Sequence, residues 1–594
     1  MTVVRAISLK TEGRTTPLGI DEKTPVFRWK CQGGKKQTAY RLLCKEEGGK
    51  VLWDSGKTET DRMRCAYQGL ALQSGQRVNW SVTLWDESGR AEESGETWFE
   101  MGLLSPKDWK ADWICGVDTD REERLPADLY QKKFSARGGV RAARLYATAC
   151  GVYAVTLNGQ RLPGVLAPGT TEYETRLYYQ TYDITGLLQE NNTLEVAVGD
   201  GWFKGKVGSS NNQYFFGTQL KLLAQVVLTY EDGGTEIIGT DDTWLWCNDG
   251  PILYADLKDG VVYDARKIPG YGHPAQRTDY PVTPAASPAD LILEQERFPA
   301  RLLTAPSGAR ILDFGQNLAG YVRFTLQGTA GQKIRLRLTE VLDHGEFTDI
   351  TLRQTQPGMP ETKQEIVYTC KEGLNCFLPE FFYSGFRYAM VEGLEEVDPA
   401  CFEAVAVYSS LTFTGAFRCS NEKVNHFFRN TVWSMKSNFV DVPTDCPQRE
   451  KSGWTGDAQV FAKTASFLAD TEPFYRKWLK DVRDCQREDG RVENVCPKIR
   501  RNDERDVLNG AVGWADAAVI IPYTLWKLYG DDRIITENYE LLHGWKEYMI
   551  QAAADKNYYL LPEGHPLRPT LQPSPWQKYV IESGLHWGEW CEPG

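Results

Sequence analysis

The hydrophobic pattern of the chain changes its period once, near residue 415, and this change limits the fold more than any other feature of the 594-residue sequence. Before it, short runs of alternating polarity recur between Gly, Asn and Asp residues. In the segment 333–341, for example, Ile334, Leu336 and Leu338 share one face. Such alternation predicts β-strands that bury one face. After it, apolar residues recur every three or four positions, which predicts amphipathic helices. We therefore expect β domains followed by a helical domain.

Breaks in the β pattern predict three sandwich-like domains. A linker-like segment, 102–115, follows the first block of strands, and prolines crowd between residues 274 and 306. Proline has no backbone N–H to donate to a sheet ladder, so a boundary is expected there. The predicted β domains are residues 1–104, 105–290 and 291–412, and the predicted helical domain is 413–594.

The helical region predicts an incomplete toroid. We expect about five helices between residues 415 and 594, in which very apolar segments such as 513–530 alternate with amphipathic ones. Alternation of inner and outer helices without strands is typical of an α/α toroid. A closed toroid of six helical hairpins needs about twelve helices. We therefore expect the chain to be the N-terminal part of a longer protein, with an incomplete (α/α)6 toroid.

Composition and charge exclude several classes of protein. The net charge of −12 and the lack of a basic run argue against nucleic acid as a partner. No apolar run is long enough to span a membrane, and the N-terminus lacks a signal-peptide pattern, so we expect a bacterial-type cytoplasmic protein. The 14 cysteines include no C-x-x-C pair and the 6 histidines have no metal-binding spacing, which predicts reduced thiols and no metal site. The sequence also contains no serine-hydrolase elbow and no Walker loop.

The loop DVPTDCPQREKSGWTGDAQVF, residues 441–461, concentrates charge immediately before a helical pattern. Its candidate site residues are Asp445, Glu450 and Asp457. We expect the N-terminus of the next helix to lower the pKa of Asp457 and keep its carboxylate ionised. An apolar contact with Trp454 would raise the pKa of Glu450, as a general acid requires. A capping loop with surface ion pairs explains the same residues, and spacing alone leaves both interpretations open.

Part of this loop, TDCPQREKSGWTGDA, resembles the signature of the bacterial α-L-rhamnosidases of glycoside hydrolase family 78. Further motifs agree in order along nearly the whole chain: TPLGIDEKTPVFRWK, LAPGTTEYETRLYYQTYDITGLL, DFGQNLAGYVRFTLQG, GWADAAVIIPYTLWKLYGD and HWGEW. For the four ranges given above, the resemblance implies a fibronectin type III-like sandwich, a carbohydrate-binding-like sandwich, a β domain that precedes the barrel, and the first half of an (α/α)6 catalytic domain.

The resemblance also implies a glycosidase that releases terminal α-L-rhamnose by inverting acid–base hydrolysis without a cofactor. Glu450 matches the general acid that protonates the leaving glycosidic oxygen. The matching substrate-binding residues are Asp445, Arg449, Trp454 and Asp457 and, more loosely, Trp514 and Trp590. Tryptophan suits rhamnose because the sugar carries a methyl group at C5, and burying that methyl is worth about 1 kcal/mol. Rhamnose-containing glycosides are the expected partners, whereas none of these motifs encodes an oligomeric state.

An inverting hydrolase needs a second carboxylate, about 6.5–9.5 Å from the acid, to activate water. The resemblance places this base in the second half of the toroid, so we expect the 594-residue chain to be inactive or weak alone. Glu589, in HWGEW, is the best substitute within the chain, although sugar binding or helix capping is its more ordinary role. Two other functions stay open: a non-catalytic carbohydrate-binding protein, and an α/α-toroid enzyme that acts on another sugar.

Overall fold

The computed structural model describes residues 3–352, 362–499, 509–554 and Ile581. Strands dominate the part before residue 415 and helices dominate the part after it, so the predicted change from β to α structure is confirmed. The strand Lys333–Thr339 buries Ile334, Leu336 and Leu338, as the alternation of polarity predicts.

The N-terminal domain is a sandwich of two sheets. Phe27 from one sheet packs against Trp80 from the other with ring centroids 4.7 Å apart, and both side chains are almost completely buried. The first sheet contains Arg5–Thr11, Val26–Gln32 and Arg64–Ala66. The second contains Leu18–Ile20, Thr97–Met101, Arg77–Asp86, Gln37–Glu46 and Val51–Asp54, with Thr58–Glu59 and Ala91–Glu93 paired alongside.

The second β region is also a sandwich. Leu145 and Val226 from one sheet share a buried core with Val155 and Val196 from the other. One sheet contains Gln276–Thr278, Trp113–Cys115, Lys221–Tyr230, Val140–Cys150, Tyr178–Asp183, Ala285–Ala286 and Thr235–Gly239. The other contains Gln160–Arg161, Val152–Leu157, Asn191–Gly199, Asp128–Ser135, Leu245–Cys247 and His273–Pro274.

The third β region is built on one sheet of ten strands, and it takes up a hairpin from earlier in the chain. This hairpin consists of Ile252–Asp256 and Gly260–Asp264, and Gly260–Asp264 pairs in parallel with Glu365–Thr369. Strands from the range 105–290 therefore extend the sheet of the range 291–412, and the domain boundaries themselves stay a prediction. The other strands are Ile292–Pro299, Arg301–Thr304, Arg310–Gly328, Lys333–Thr339, Gly373–Phe377, Ser384–Glu392 and Phe402–Ser409.

Three short two-stranded pairings complete the strands of the described residues. They are Leu342–Asp343 with Glu346–Phe347, Thr412–Phe413 with Ala469–Asp470, and Phe439–Val440 with Val442–Pro443. The second pairing joins the end of the β part to the helical region.

Seven α-helices occur in the described ranges. They are α1 (Gly201–Lys204), α2 (Glu422–Asn438), α3 (Thr455–Leu468), α4 (Glu472–Cys485), α5 (Ala517–Tyr529), α6 (Asp532–Glu537) and α7 (Tyr539–Ala554), and three 3₁₀ turns lie at Pro106–Asp108, Thr185–Leu187 and Pro399–Cys401. Helices α3 to α7 enclose a common core that contains Ala462, Trp478, Ile521 and Trp545. Of the helices formed by described residues, none is both long enough and apolar enough to cross a bilayer.

Buried polar contacts join the helical region to the second β region. Lys477 of α4 forms ion pairs with Asp441 at 2.9 Å and with Asp481 at 3.2 Å. The hydroxyl of Thr171 donates to Asp481 over 2.6 Å, and the backbone N–H of Thr170 donates to Asp441 over 2.6 Å. These contacts fix the residue at which the charged loop begins.

Candidate active site

The charged loop lies between α2 and α3 and folds back on itself. The backbone N–H of Asp445 donates to the carbonyl of Ser452 over 3.0 Å, and the N–H of Ser452 donates to Oδ1 of Asp445 over 3.1 Å. Inside this closure, the N–H of Lys451 donates to the carbonyl of Cys446 over 3.2 Å. The loop is therefore a compact turn whose backbone groups are paired internally.

A second segment, 493–497, packs along the loop where α3 begins. The N–H of Cys496 donates to the carbonyl of Gly453 over 2.9 Å, and the N–H of Thr455 donates to the carbonyl of Asn494 over 2.8 Å. A Cβ on Gly453 would lie only 2.1 Å from the carbonyl oxygen of Cys496. Residue 453 must therefore be glycine for the two segments to approach this closely.

The three predicted acids of the loop act on one another electrostatically. Burial raises the pKa of Asp445, and the negative charges of Glu450 and Asp457 raise it further. Hydrogen bonds from Cys446 and Ser452 oppose this rise. The Asp445 carboxyl therefore retains protons at a pH where an ordinary aspartate is fully ionised. The structure brings these acids together, as a shared site requires.

Asp457 occupies the first turn of α3, but the expected lowering of its pKa is wrong. Partial loss of water around the carboxyl raises the pKa of Asp457, and repulsion from Glu450 adds to the rise, although the residue is exposed. The hydrogen bond from its own backbone N–H lowers the pKa by less. The helix N-terminus is thus outweighed by the loss of water and by a neighbouring acid.

Glu450 and Trp454 are in contact, but the contact is polar rather than apolar. The indole Nε1 of Trp454 donates to Oε2 of Glu450 over 2.9 Å. The backbone N–H of Glu450 donates a hydrogen bond to the sulfur of Cys446 over 3.4 Å. A hydrogen bond to a carboxylate is stronger than one between neutral groups, so the indole holds this carboxylate in one orientation.

The third β region reaches the charged loop through Glu340, a residue that belongs to none of the sequence motifs. Its carboxylate accepts hydrogen bonds from Gln448 over 3.1 Å and from Asn317 over 3.3 Å. Burial raises the pKa of Glu340, and the positive charge of the exposed Arg449 opposes the rise. Arg449 therefore lies close enough to act on this carboxyl. Local patterns give no signal for Glu340, because it contacts a residue 108 positions away.

Trp514 lies beside the N-terminus of α3. A Cβ on Gly456 would lie 2.7 Å from the indole ring of Trp514. Because Gly456 precedes Asp457 in the chain, Trp514 belongs to the same part of the molecule as the acids. Trp590 and Glu589 lie outside the described residues.

This arrangement can bind a polyhydroxylated ligand and transfer a proton to it. Ionised carboxylates accept hydrogen bonds from hydroxyl groups, a protonated carboxyl donates one, and indole rings cover apolar faces. In the part of the chain that the structure describes, no group of three or more His, Cys, Asp or Glu side chains is arranged to hold a metal ion.

Four family models match successive parts of the chain. They describe a Rha78A-like N-terminal immunoglobulin domain (residues 6–105), an α-L-rhamnosidase N-terminal domain (138–304), a bacterial α-L-rhamnosidase concanavalin-like domain (303–408) and a bacterial α-L-rhamnosidase six-hairpin glycosidase domain (412–565). The chain belongs to the bacterial α-L-rhamnosidase family. The resemblance carried by the loop is thereby confirmed.

Curated α-L-rhamnosidases are similar over most of the chain. The protein from Formosa agariphila is 32% identical over 577 residues, which cover 90% of this chain and 60% of that protein. The protein from Alteromonas sp. (strain LOR) is 32% identical over 604 residues, which cover 95% of this chain and 64% of that protein. The chain thus spans less than two thirds of the length of these α-L-rhamnosidases.

Solved α-L-rhamnosidase structures have the same fold over the matched part. The α-L-rhamnosidase of Streptomyces avermitilis, complexed with L-rhamnose, superposes with a TM-score of 0.87 at 26% identity. The matched part covers 93% of this chain and 72% of that one. The native α-L-rhamnosidase of Aspergillus terreus gives a TM-score of 0.85 at 32% identity, covering 91% and 64% of the two chains.

Proposed function

We propose that the chain carries the sugar-binding loop and the general acid of an enzyme that releases terminal α-L-rhamnose from rhamnosides. The observation that carries this proposal is the placement of Glu450, which accepts the Trp454 indole hydrogen bond inside a cluster with Asp445 and Asp457. A general acid must be oriented toward the oxygen that it protonates, and the indole supplies that orientation.

In this proposal each acid has a separate task. Glu450 acts in its protonated form and delivers its proton to the glycosidic oxygen as the bond to C1 breaks, so the leaving group departs as an alcohol while water adds to C1. Asp445 and Asp457 accept hydrogen bonds from the rhamnose hydroxyls. Arg449 binds the same sugar from the exposed side of the loop.

The rings of Trp454 and Trp514 give the site its preference for rhamnose. The C5 methyl of rhamnose buries against indole, whereas a hydroxymethyl group at the same place would lose its hydrogen bonds to water. L-mannose differs from L-rhamnose only by this hydroxyl and is therefore the matched control ligand. We expect L-mannose to bind about tenfold more weakly, which corresponds to about 1.4 kcal/mol.

For the helical region, we propose the first half of an (α/α)6 catalytic domain. Inversion requires a second carboxylate on the opposite face of the sugar, about 6.5–9.5 Å from the acid. The proposed site of this base is the second half of the toroid, and Glu589 is the substitute within the chain. The 594-residue chain is accordingly expected to be inactive or weak alone.

A non-catalytic carbohydrate-binding protein is the second candidate function. The pairing of aromatic rings with hydroxyl-binding acids favours it for the isolated chain, because binding needs these groups and no base. An enzyme with the same helical scaffold that acts on another sugar is the third candidate function. The comparison of L-rhamnose with L-mannose separates it from the first.

Calorimetry with L-rhamnose, combined with an assay of p-nitrophenyl α-L-rhamnopyranoside, tests the proposal. We expect saturable rhamnose binding, which Glu450→Gln retains, and little turnover. Turnover that Glu450→Gln abolishes would support the enzyme and contradict the expected weakness. Turnover that survives in Glu450→Gln would contradict the role of Glu450. A chain that neither binds L-rhamnose nor cleaves the rhamnoside would contradict the proposed function.

A further inference from the structure

Lys451, which directly follows Glu450, points away from solvent. Its side chain is buried, with only 5% of the residue exposed, and its backbone takes the left-handed φ of 56°. This backbone conformation turns the side chain back under the loop. There the Nζ atom donates hydrogen bonds to the carbonyls of Leu257 and Tyr383. These hydrogen bonds connect the charged loop to the β part of the molecule.

The surroundings of the Lys451 amine are unusual for a lysine. The amine lies 4.5 Å from the ring centre of Tyr383 and 5.5 Å from that of Phe382. A lysine in a surface loop ordinarily extends its ammonium group into water, because burial of the charge is costly. Here the charge is met by two carbonyl dipoles and two ring faces. Burying this charge costs free energy, and an apolar side chain could fill the same space without that cost.

Several charged groups face Lys451 from the β part. Lys258 acts on Lys451 as a like charge, and its own amine donates to the carbonyl of Gly208 over 2.6 Å. Burial lowers the pKa of Lys451 to about 7, and repulsion from Lys258 adds to the effect. The carboxylates of Asp256 and Asp259 oppose it. The amine thus changes its charge within a pH range in which the protein can be studied.

We propose that Lys451 is a positioning residue that anchors the turn carrying Glu450 to the β part and thereby sets the affinity of the site for rhamnose. This inference rests on the proposed function. Hydrogen bonds between Asp445 and Ser452 and between Lys451 and Cys446 close the turn. A shift of Lys451 would therefore displace Asp445 and Glu450 together. Displacement by about 1 Å is enough to weaken a preorganised site severely.

The test compares L-rhamnose binding by the full chain, Lys451→Met and Lys451→Arg between pH 6 and 9. Methionine keeps most of the apolar stem but removes the donor, so we expect at least tenfold weaker binding at pH 6. The affinity of the unsubstituted chain should fall part of the way toward that of Lys451→Met as the pH rises to 9, because the neutral amine still donates to both carbonyls but loses the strength that its charge gives those bonds. Arginine stays charged, and its affinity should not show this fall. The same comparison in an Asp445→Asn background removes the contribution of Asp445, which also titrates near this range.

Lys463→Met is the control, because Lys463 is exposed on α3. Equal rhamnose affinity for Lys451→Met and the unsubstituted chain at pH 6 would overturn the inference, and so would the same alkaline fall in Lys451→Arg. If Lys451→Met does not fold, the comparison of Lys451→Arg with the unsubstituted chain at pH 9 decides. If the unsubstituted chain does not bind rhamnose at all, the proposed function fails instead.

Discussion

The indole Nε1 of Trp454 and the carboxylate Oε2 of Glu450 are joined by a hydrogen bond of 2.9 Å. The two residues are four positions apart, and Trp454 immediately precedes α3. The hydrogen bond thereby holds the indole through its polar edge. One residue can serve both to orient the proposed acid and to shelter the sugar.

Two substitutions of Trp454 should separate these tasks. Trp454→Phe keeps a ring but removes the donor, and we expect the affinity for L-rhamnose to fall only a few-fold. Trp454→Ala removes the ring as well, and we expect a fall of more than tenfold, since aromatic contact is worth about 0.5–1.5 kcal/mol beyond area burial. Calorimetry measures both. Equal losses in the two variants would show that the ring contributes nothing to binding.

Asp445→Asn should change the pH dependence of rhamnose binding. The pKa of Asp445 is raised by burial and by Glu450, so its carboxyl gains charge only as the pH rises well above the usual range of aspartate. A charged carboxylate accepts stronger hydrogen bonds from hydroxyl groups. The affinity of the unsubstituted chain should therefore increase between pH 5 and 7, and that of Asp445→Asn should not. An unchanged pH profile in Asp445→Asn would contradict this role, and the exposed Asp279→Asn serves as the control.

Lys477→Met should weaken the connection between the helices and the second β region. Lys477 is 1% exposed and pairs with Asp441 and Asp481, so its loss leaves two carboxylates without their cation. Removing one partner of a buried ion pair costs about 3–5 kcal/mol. Thermal and denaturant unfolding should show a matching loss of stability. Lys477→Met combined with Asp441→Asn should lose less, and a loss in the double variant as large as in the single one would contradict the pairing.

Asp128→Asn should stabilise the protein at neutral pH. Burial raises the pKa of Asp128 to about 7, so the folded protein holds a proton that the unfolded chain releases above pH 4. The free energy of unfolding therefore falls as the pH rises from about 4 to 7. Asparagine cannot ionise and can still accept the hydrogen bond from Trp246.

The advantage of Asp128→Asn should thus grow over this pH range to roughly 2–4 kcal/mol, from a shift of about three pKa units. Denaturant unfolding at pH 4.5 and pH 7.5 measures it. The exposed Asp118→Asn should show no such growth. A constant difference between Asp128→Asn and the unsubstituted chain at both values would contradict the prediction.

Local patterns in the sequence were sufficient to predict the change from strands to helices and one contact within the charged loop. The alternation at Ile334, Leu336 and Leu338 predicted a strand because side-chain direction follows directly from strand geometry. The proximity of Glu450 and Trp454 also followed from their short separation in a turn.

What the sequence did not predict depends on contacts between distant residues. The raised pKa of Asp457 follows from its neighbours and its loss of water rather than from its place in α3. The burial of Lys451 depends on the carbonyls of Leu257 and Tyr383, which lie 194 and 68 positions away. No pattern within a single window of the chain carries such information.

The hairpin 252–264 has a practical consequence for protein engineering. Its strands complete a sheet whose other strands come from residues 292 onward. The hairpin also places Leu257 and Lys258 next to the charged loop. Exchange of the second β region alone between two members of the family would replace these groups while leaving the charged loop unchanged. The second and third β regions should therefore be exchanged together, with the junctions of a chimera placed outside both of them.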